Sequence, residues 1–435
     1  MIGQPRQNGE EPKAVLRQLF DAAVAAALPA HVVAAHLPSP PRGRTVVVGA
    51  GKAAAAMAQA VETIWDGPLS GRVIVPHGHG TDCGLIEVIE ATHPVVDEAG
   101  LAATSSLLEL LKELTSDDLV LCLLSGGASA LMAMPAPGLT LSDKQAVTRA
   151  LLRSGATIAE INAVRKHLSS VKGGRLAQLA EPARVVTLAI SDVPDDDPST
   201  IGSGPTVPDP STRHQALAIL ERHLAVVPAS VKSHLLDPRS ESPKPDPDRR
   251  PDVRIVATPA QAIAAAAEQA RTLGFTPLVL GSDLEGDSSE VARAHAALAR
   301  RIWTGDGPVV PPCVILSGGE TTVRVRGSGR GGRNTEFLLA LAIALDGLAG
   351  VHAMAADTDG IDGSEDNAGA VIGPQVLDQA RRAGVSAAGR LADNDAYGFF
   401  AAVGGLVTTG PTRTNVNDFR AILIDRPGPS SQDHR

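Results

Sequence analysis

Apolar residues fall along this chain in two alternating rhythms. Short, nearly continuous apolar runs at Thr45–Val48, Val73–Pro76, Glu87–Ala91, Leu119–Leu124 and Val185–Ile190 predict strands. Between them lie stretches with helical spacing near Lys13–His36, from the turn at 49–52 to about Trp65, and near Asp97–Leu114, Asp143–Ser154, Thr157–Ser169 and Gly174–Ala180. Thr157 and Glu160 stand at capping-box spacing, which marks a helix start. Strands that are apolar throughout, rather than on alternate residues, predict parallel sheets covered on both faces by helices.

The rhythm breaks at Pro238–Asp252, which is rich in proline and charge and has no apolar period. That composition predicts a linker or exposed loop. It divides a larger N-terminal domain, 1–237, from a C-terminal domain, 253–435, whose core is expected at about 313–420. Beyond the break the pattern predicts strands at Arg254–Ala257, Thr276–Leu280, Val314–Leu316 and Val351–Ala356. Helices are expected at Ala260–Leu273, Ser288–Trp303 and Asn334–Leu345, and short elements around 394–395 and Thr408–Asn417 close the chain. The whole reads as α/β, with two Rossmann-like domains.

A chain of 435 residues is too long for one ordinary core, which agrees with two domains. Aromatics make up 2% and the net charge is −9, so neither stacking platforms nor a basic surface for nucleic acid is expected. Cys83, Cys122 and Cys313 are too far apart for a disulfide framework or a zinc site and read as reduced thiols. Met1–Glu11 has no basic-then-apolar leader pattern, and no apolar run nears the ~20 residues that span a bilayer. A cytoplasmic protein without a membrane partner is expected, with a homodimer as one arrangement open to it.

Candidate chemistry gathers where strands end in glycine. Gly49-Ala50-Gly51-Lys52 follows the first strand and opens a helix. It meets the loosest dinucleotide fingerprint, but the next strand ends Pro76-His77-Gly78 without the carboxylate that holds a ribose. Lys52 instead reads as a cation beside free N–H groups at a helix start. Ser125-Gly126-Gly127 lacks the spacing of a hydrolase elbow and fits anion cradling by backbone N–H groups. Ser317-Gly318-Gly319-Glu320 repeats that pattern, and Gly327–Gly332 then leads through Arg333, Asn334 and Glu336 into an apolar helix, with Arg330 and Arg333 as candidate anion ligands. Asp192, at a strand end, is a candidate for Mg²⁺. So are Asp357, Asp359 and Asp362, whose loop departs from a calcium site at Ile361 and Ala368.

These segments, together with Asn162–Ser169, Gly202–Thr206 and Thr409–Asp418, run in the order found in glycerate 2-kinases of the MOFRL type, and the chain resembles that family over nearly its whole length. Members of the family have often carried the label hydroxypyruvate reductase. The resemblance implies an active site in a cleft between the two domains, with ATP, Mg²⁺ and D-glycerate as ligands. It implies Lys52, Arg330, Arg333 and Asp192 as catalytic groups. Gly49, Gly51, Ser125–Gly127, Ser317–Glu320, Asn334, Glu336, Thr412 and Asn415 would bind substrate or nucleotide, and Asp192, Asp357, Asp359 and Asp362 the metal. Two rivals stand beside it, an NAD(P)H-dependent hydroxypyruvate reductase and a non-catalytic sugar-acid-binding protein.

Overall fold

The computed structural model describes residues 11–425; the stretch 1–10, read above for a leader pattern, lies outside them. The chain forms two compact units. One is Pro29–Ala257; the other joins the described residues up to Leu28 to those from Thr258 onward.

The N-terminal unit, Pro29–Ala257, is built on β1 (Thr45–Ala50), β2 (Leu69–Pro76), β3 (Ile86–Ala91), β4 (Leu119–Leu124), β5 (Arg184–Ile190) and β6 (Asp252–Ala257). All pairs are parallel, in the order β3-β2-β1-β4-β5-β6. β1 and β4 are buried along their whole length, which is why neither alternates polar with apolar residues. The strand order reverses between these two strands. Ligands of open α/β sheets bind at such a reversal, beyond the carboxyl ends of the strands.

Two boundaries differ from those the sequence predicts. Pro238–Asp252 does not separate the units. It returns the chain to β6, which pairs with β5 and completes the same sheet, so the division falls between Ala257 and Thr258. Proline and charge disfavour regular structure there, but a loop that only has to reach a sheet edge needs none. The first helix, Pro12–Ala25, belongs to the C-terminal unit, where it buries Leu16, Leu19 and Phe20. The Phe20 ring meets Phe419 edge-on at 5.7 Å.

The C-terminal unit contains β7 (Thr276–Gly281), β8 (Gly286–Asp287), β9 (Cys313–Gly319), β10 (Thr321–Thr322), β11 (Val351–Asp357), β12 (Gly369–Ile372), β13 (Leu406–Val407) and β14 (Asp418–Ile424). Its main sheet runs β13-β12-β11-β14-β9-β7, and β8 pairs with β10. The class is α/β, as the alternation predicts, but in the main sheet only β7 and β9 are parallel. The difference comes from β12, β13 and above all β14, none of which the sequence predicts. Strand β14 is buried throughout and runs antiparallel between β9 and β11. Asp418 and Arg420 make it look like surface, yet they neutralise each other at 2.6 Å with Arg420 1% exposed. Helix Arg333–Leu345 is the centre of this unit's core, buried along nearly its full length.

Candidate active site

At the reversal in the N-terminal unit, the turns after β1 and β4 are tied together. Gly49 lies inside β1, paired with Val73 and Leu123. Gly51 has a φ of +130°, and a Cβ there would stand 2.2 Å from Ser125 Oγ, so the close approach requires glycine. The N–H groups of this turn are not free, contrary to the sequence expectation. Gly51 N donates to Ile74 O at 3.0 Å, Lys52 N to Gly126 O at 2.9 Å and Ala53 N to Ser125 Oγ at 2.9 Å. The Ser125 hydroxyl thus accepts from Ala53, the residue just before helix Ala54–Ile64, and its role is to hold the turn. Gly126 and Gly127 differ, since no acceptor among the described residues takes their N–H groups. Lys52 is half-buried, and its carbonyl lies 3.2 Å from His79 Nδ1.

Asp192 is half-buried just past the end of the neighbouring β5, on the same carboxyl edge. Of the acidic residues that follow, Asp197 serves the loop. Asp197 accepts from Ser199 N, Ser199 Oγ and Thr200 Oγ1, at 2.7–3.1 Å.

In the C-terminal unit the predicted anion site is already occupied by the protein's own carboxylates. Asp362, fully buried, accepts from Asn334 N at 2.9 Å, Thr335 N at 2.9 Å and Thr335 Oγ1 at 2.8 Å. Burial pushes this carboxyl upward, against the hydrogen bonds from Asn334 and Thr335. It therefore fills the start of helix Arg333–Leu345, which the sequence offers to a phosphate, and is spent as a metal ligand. A Cβ on Gly332 would stand 2.2 Å from Asp362 Oδ1, which explains the glycine before the helix. Arg333 is locked among three carboxylates: Asp357 at 2.7 Å, Asp418 at 2.8 Å and Glu320 at 3.1 Å. Burial works against its charge, but these carboxylates outweigh burial and raise its pKa. Asn334 Nδ2 donates to Asp418 at 2.7 Å. Arg330 is different, with its side chain 63% exposed, paired with Glu365 at 3.2 Å and lying over the Tyr397 ring.

The two Ser-Gly-Gly segments also part company. Ser125–Gly127 is a turn, whereas Ser317–Gly319 is the end of β9, paired with Asp418–Arg420 of β14. Its Ser317 Oγ lies 3.0 Å from His295 Nε2, and Gly318 O accepts from the buried Arg420 at 3.2 Å. Glu336 accepts from Asn394 and Ser289 at 3.0 and 3.1 Å, and burial raises its pKa despite them. Thr412 N donates to Asp359 O at 3.0 Å, and Asn415 Oδ1 accepts from Asn417 N at 3.3 Å. Asp359 Oδ1 accepts from Ile361 N, so this segment is a self-bonded loop in which Asp359 is fully buried.

Sequence reading passed over three cations of the N-terminal unit: Lys144, Arg165 and Lys172. A signal was present. Lys144 stands three and seven residues before Val147 and Leu151, on the buried face of helix Leu141–Arg153. A lysine on that face either snorkels outward or serves a ligand.

Residues 15–236 match a family described as a domain of unknown function, DUF4147, and residues 313–418 match the MOFRL family. A relative from Agrobacterium vitis, provisionally named as a hydroxypyruvate reductase, is 51% identical over 96% of this chain and 95% of its own. The D-glycerate 2-kinase of Thermotoga maritima is 38% identical over 95% of this chain and 99% of its own. A crystal structure of glycerate kinase from that organism superposes with a TM-score of 0.87 at 37% identity, covering 96% of this chain and all of that one. Similar along both units to a kinase of known structure, the chain belongs to the glycerate 2-kinase family of the MOFRL type.

Proposed function

We infer that this protein is a kinase that transfers the γ-phosphoryl group of ATP to the 2-hydroxyl of D-glycerate, giving 2-phospho-D-glycerate and ADP. Apart from the family, one observation carries the reading: the β1 turn spends the N–H groups of Gly51, Lys52 and Ala53 inside the protein. A dinucleotide fold needs that turn for its pyrophosphate and an acid at the end of the second strand for its ribose. Here β2 ends at Pro76, followed by His77 and Gly78, so the reductase reading lacks both supports despite the label on the Agrobacterium relative.

In the reaction the 2-hydroxyl oxygen bonds to the γ-phosphorus, the bond from that phosphorus to the β,γ-bridging oxygen breaks, and ADP leaves with the electron pair. The hydroxyl proton passes to a carboxylate or to water. Such chemistry asks mainly for positioning and charge neutralisation. Lys52 supplies a cation at the carboxyl edge of β1, Gly126 and Gly127 offer backbone N–H groups, and Arg330 is the arginine with a side chain open to a ligand. Magnesium, when bound, neutralises phosphate charge. It is commonly held by one or two carboxylates plus phosphate oxygens and water. That fits a protein whose described residues contain no cluster of three or more metal-ligating side chains, and Asp192 is the residue that would hold it. Among the described residues no helix is long and apolar enough to cross a membrane. Burial pushes the Cys122 thiol up to about 12, consistent with an inert thiol in a cytoplasmic enzyme.

The deciding measurement is ADP release in a coupled assay with ATP, Mg²⁺ and D-glycerate, run beside NADH oxidation with hydroxypyruvate. Glycerate-dependent ADP is expected, with a phosphorus spectrum of the 2-phosphate. Absence of ADP above background would remove the kinase reading, and NADH oxidation would install its rival. Ser125→Ala provides a finer check. Losing the bond to Ala53 N should cost about 1 kcal/mol, read as a lower denaturation midpoint. Turnover should fall less than tenfold, because the Gly126 and Gly127 N–H groups remain. Complete loss of turnover in a folded variant would make the hydroxyl a reactant.

A further inference from the structure

Beside the Ser125–Gly127 turn lies a cavity of about 470 Å³ whose lining includes Gly127, Ser129, Lys144, Arg149, Arg165 and Lys172. No carboxylate among the described residues lines it. Its cations are uncompensated. Lys144 is 8% exposed, and its Nζ has no hydrogen-bond partner. Neither Arg149 nor Arg165 forms an ion pair among the described residues. Lys172 is 1% exposed and donates only to neutral atoms: Ser129 O at 2.8 Å, Ser129 Oγ at 3.1 Å and Gly202 O at 3.2 Å. Arg333 of the other unit, held by three carboxylates, shows how this chain treats an arginine whose role is structural.

An unpaired buried ammonium is costly, and like charges add to the cost. Burial and the charge of Arg165 pull Lys144 down to about 8, and burial pulls Lys172 well below its ordinary value, with Lys144 and Arg165 adding to it. A fold that retains this arrangement has an anion to repay it. Four cations exceed what one carboxylate calls for and suit a polyphosphate. The volume is that of a site for a drug-sized ligand, on the order of 300–1,000 Å³. Its other wall is apolar, with Val95 and Leu152 each 60% exposed beside Val96 and Leu141. An apolar wall next to clustered cations matches a molecule with a flat base at one end and phosphates at the other.

We propose that this cavity of the N-terminal unit binds the nucleoside triphosphate, with Lys144, Arg149, Arg165 and Lys172 on the phosphates and the Val95–Leu152 wall against the base. The assignment rests on the kinase reading for its choice of anion and adds a place for the nucleotide. It is tested by titrating the full chain with a non-hydrolysable ATP analogue, comparing wild type with Lys144→Met and Arg149→Glu. Arg149 is exposed, so its reversal leaves the fold intact. Each variant should raise the analogue's Kd on the order of tenfold to a hundredfold, while the KM for glycerate at saturating ATP stays within twofold. Inorganic tripolyphosphate should displace the analogue from wild type and do so less well from Lys144→Met. Affinity should fall as pH rises through about 8, because the anion favours the protonated amine of Lys144, and Lys172, whose amine burial also pulls down, adds a fall of its own. His93, Arg149, Arg165 and Lys172 are the other charged or titratable groups lining the cavity, and Lys144→Met should remove the fall near pH 8.

Unchanged Kd in both variants overturns the assignment, as does a rise in glycerate KM with nucleotide affinity intact, which would give the cavity to the sugar acid. Binding is read without turnover. A chain that binds the analogue in this cavity but releases no ADP with glycerate loses the kinase reading and keeps this site. A working kinase whose variants bind the analogue normally loses this site alone.

Discussion

Arg333→Ala is expected to unfold the C-terminal unit or lower its melting temperature by about 10 °C. The guanidinium holds Asp357, 4% exposed, and Asp418, fully buried, at 2.7 and 2.8 Å, and reaches the exposed Glu320 at 3.1 Å. Asp418 keeps Arg420 and Asn334, but Asp357 loses its ion pair with Arg333, and removing one partner of a buried pair costs about 3–5 kcal/mol. That is a large share of a marginal stability of ~5–15 kcal/mol. At roughly 2–4 °C per kcal/mol for a unit of this size, the melting shift follows. Arg333→Lys should recover only part of it, because a single ammonium cannot span three carboxylates as the planar fork does. Arg330→Ala is the control. Its side chain is 63% exposed, and surface pairs such as Arg330–Glu365 contribute about 0–1 kcal/mol. Arg330→Ala should melt like wild type and lose turnover. Thermal unfolding followed by circular dichroism, run beside the ADP assay, separates the two arginines. An Arg333→Ala protein that melts normally but is inactive would return Arg333 to the chemistry.

These two arginines mark how far the sequence could be read. Three residues apart in a glycine-rich run, they look alike, because sequence shows charge and spacing but not which charges are already paired. The partners of Arg333 come from Glu320, Asp357 and Asp418, the last of them 85 positions away. Strands that are apolar throughout their buried stretch were legible. β1, β4 and β5 appear in the sequence as apolar runs because both of their faces are covered. β14 was not, since its charges cancel only after folding. The repeated Ser-Gly-Gly shows the same limit. One copy folds as a turn and the other as strand, because β14 lies alongside the second and extends its ladder through Gly319. Lys144 was visible as a lysine on an apolar helix face, but the cavity it lines is assembled from residues as far apart as His93 and Lys172. Helix period alone does not bring those together.

Lys52→Ala should lower kcat roughly a thousandfold, the scale on which cations and preorganised donors act in phosphoryl and acyl transfer, with the melting temperature unchanged within about 2 °C. The separation is expected because the fold holds the Lys52 backbone independently of its side chain. Its N–H donates to Gly126 O at 2.9 Å, and its carbonyl faces His79 Nδ1 at 3.2 Å. Alanine keeps both and continues the run Ala53–Ala56, so the turn and helix persist. What disappears is a positive charge at the carboxyl edge of β1, beside the strand-order reversal, which is the proposed place for the negative charge of the transferring group and the leaving oxygen. A loss confined to the transition state lowers kcat and kcat/KM together and leaves the KM for glycerate nearly unchanged. Lys52→Arg keeps the charge but moves it outward on a longer, planar head, and should restore only part of the rate. A different pattern assigns a different role. If Lys52→Ala raises the KM for glycerate and spares kcat, the lysine holds the substrate carboxylate in ground and transition states alike. Near-normal kcat and KM together remove Lys52 from the site and leave the β4 turn and the cations lining the cavity next to it as the anion-binding groups of this unit.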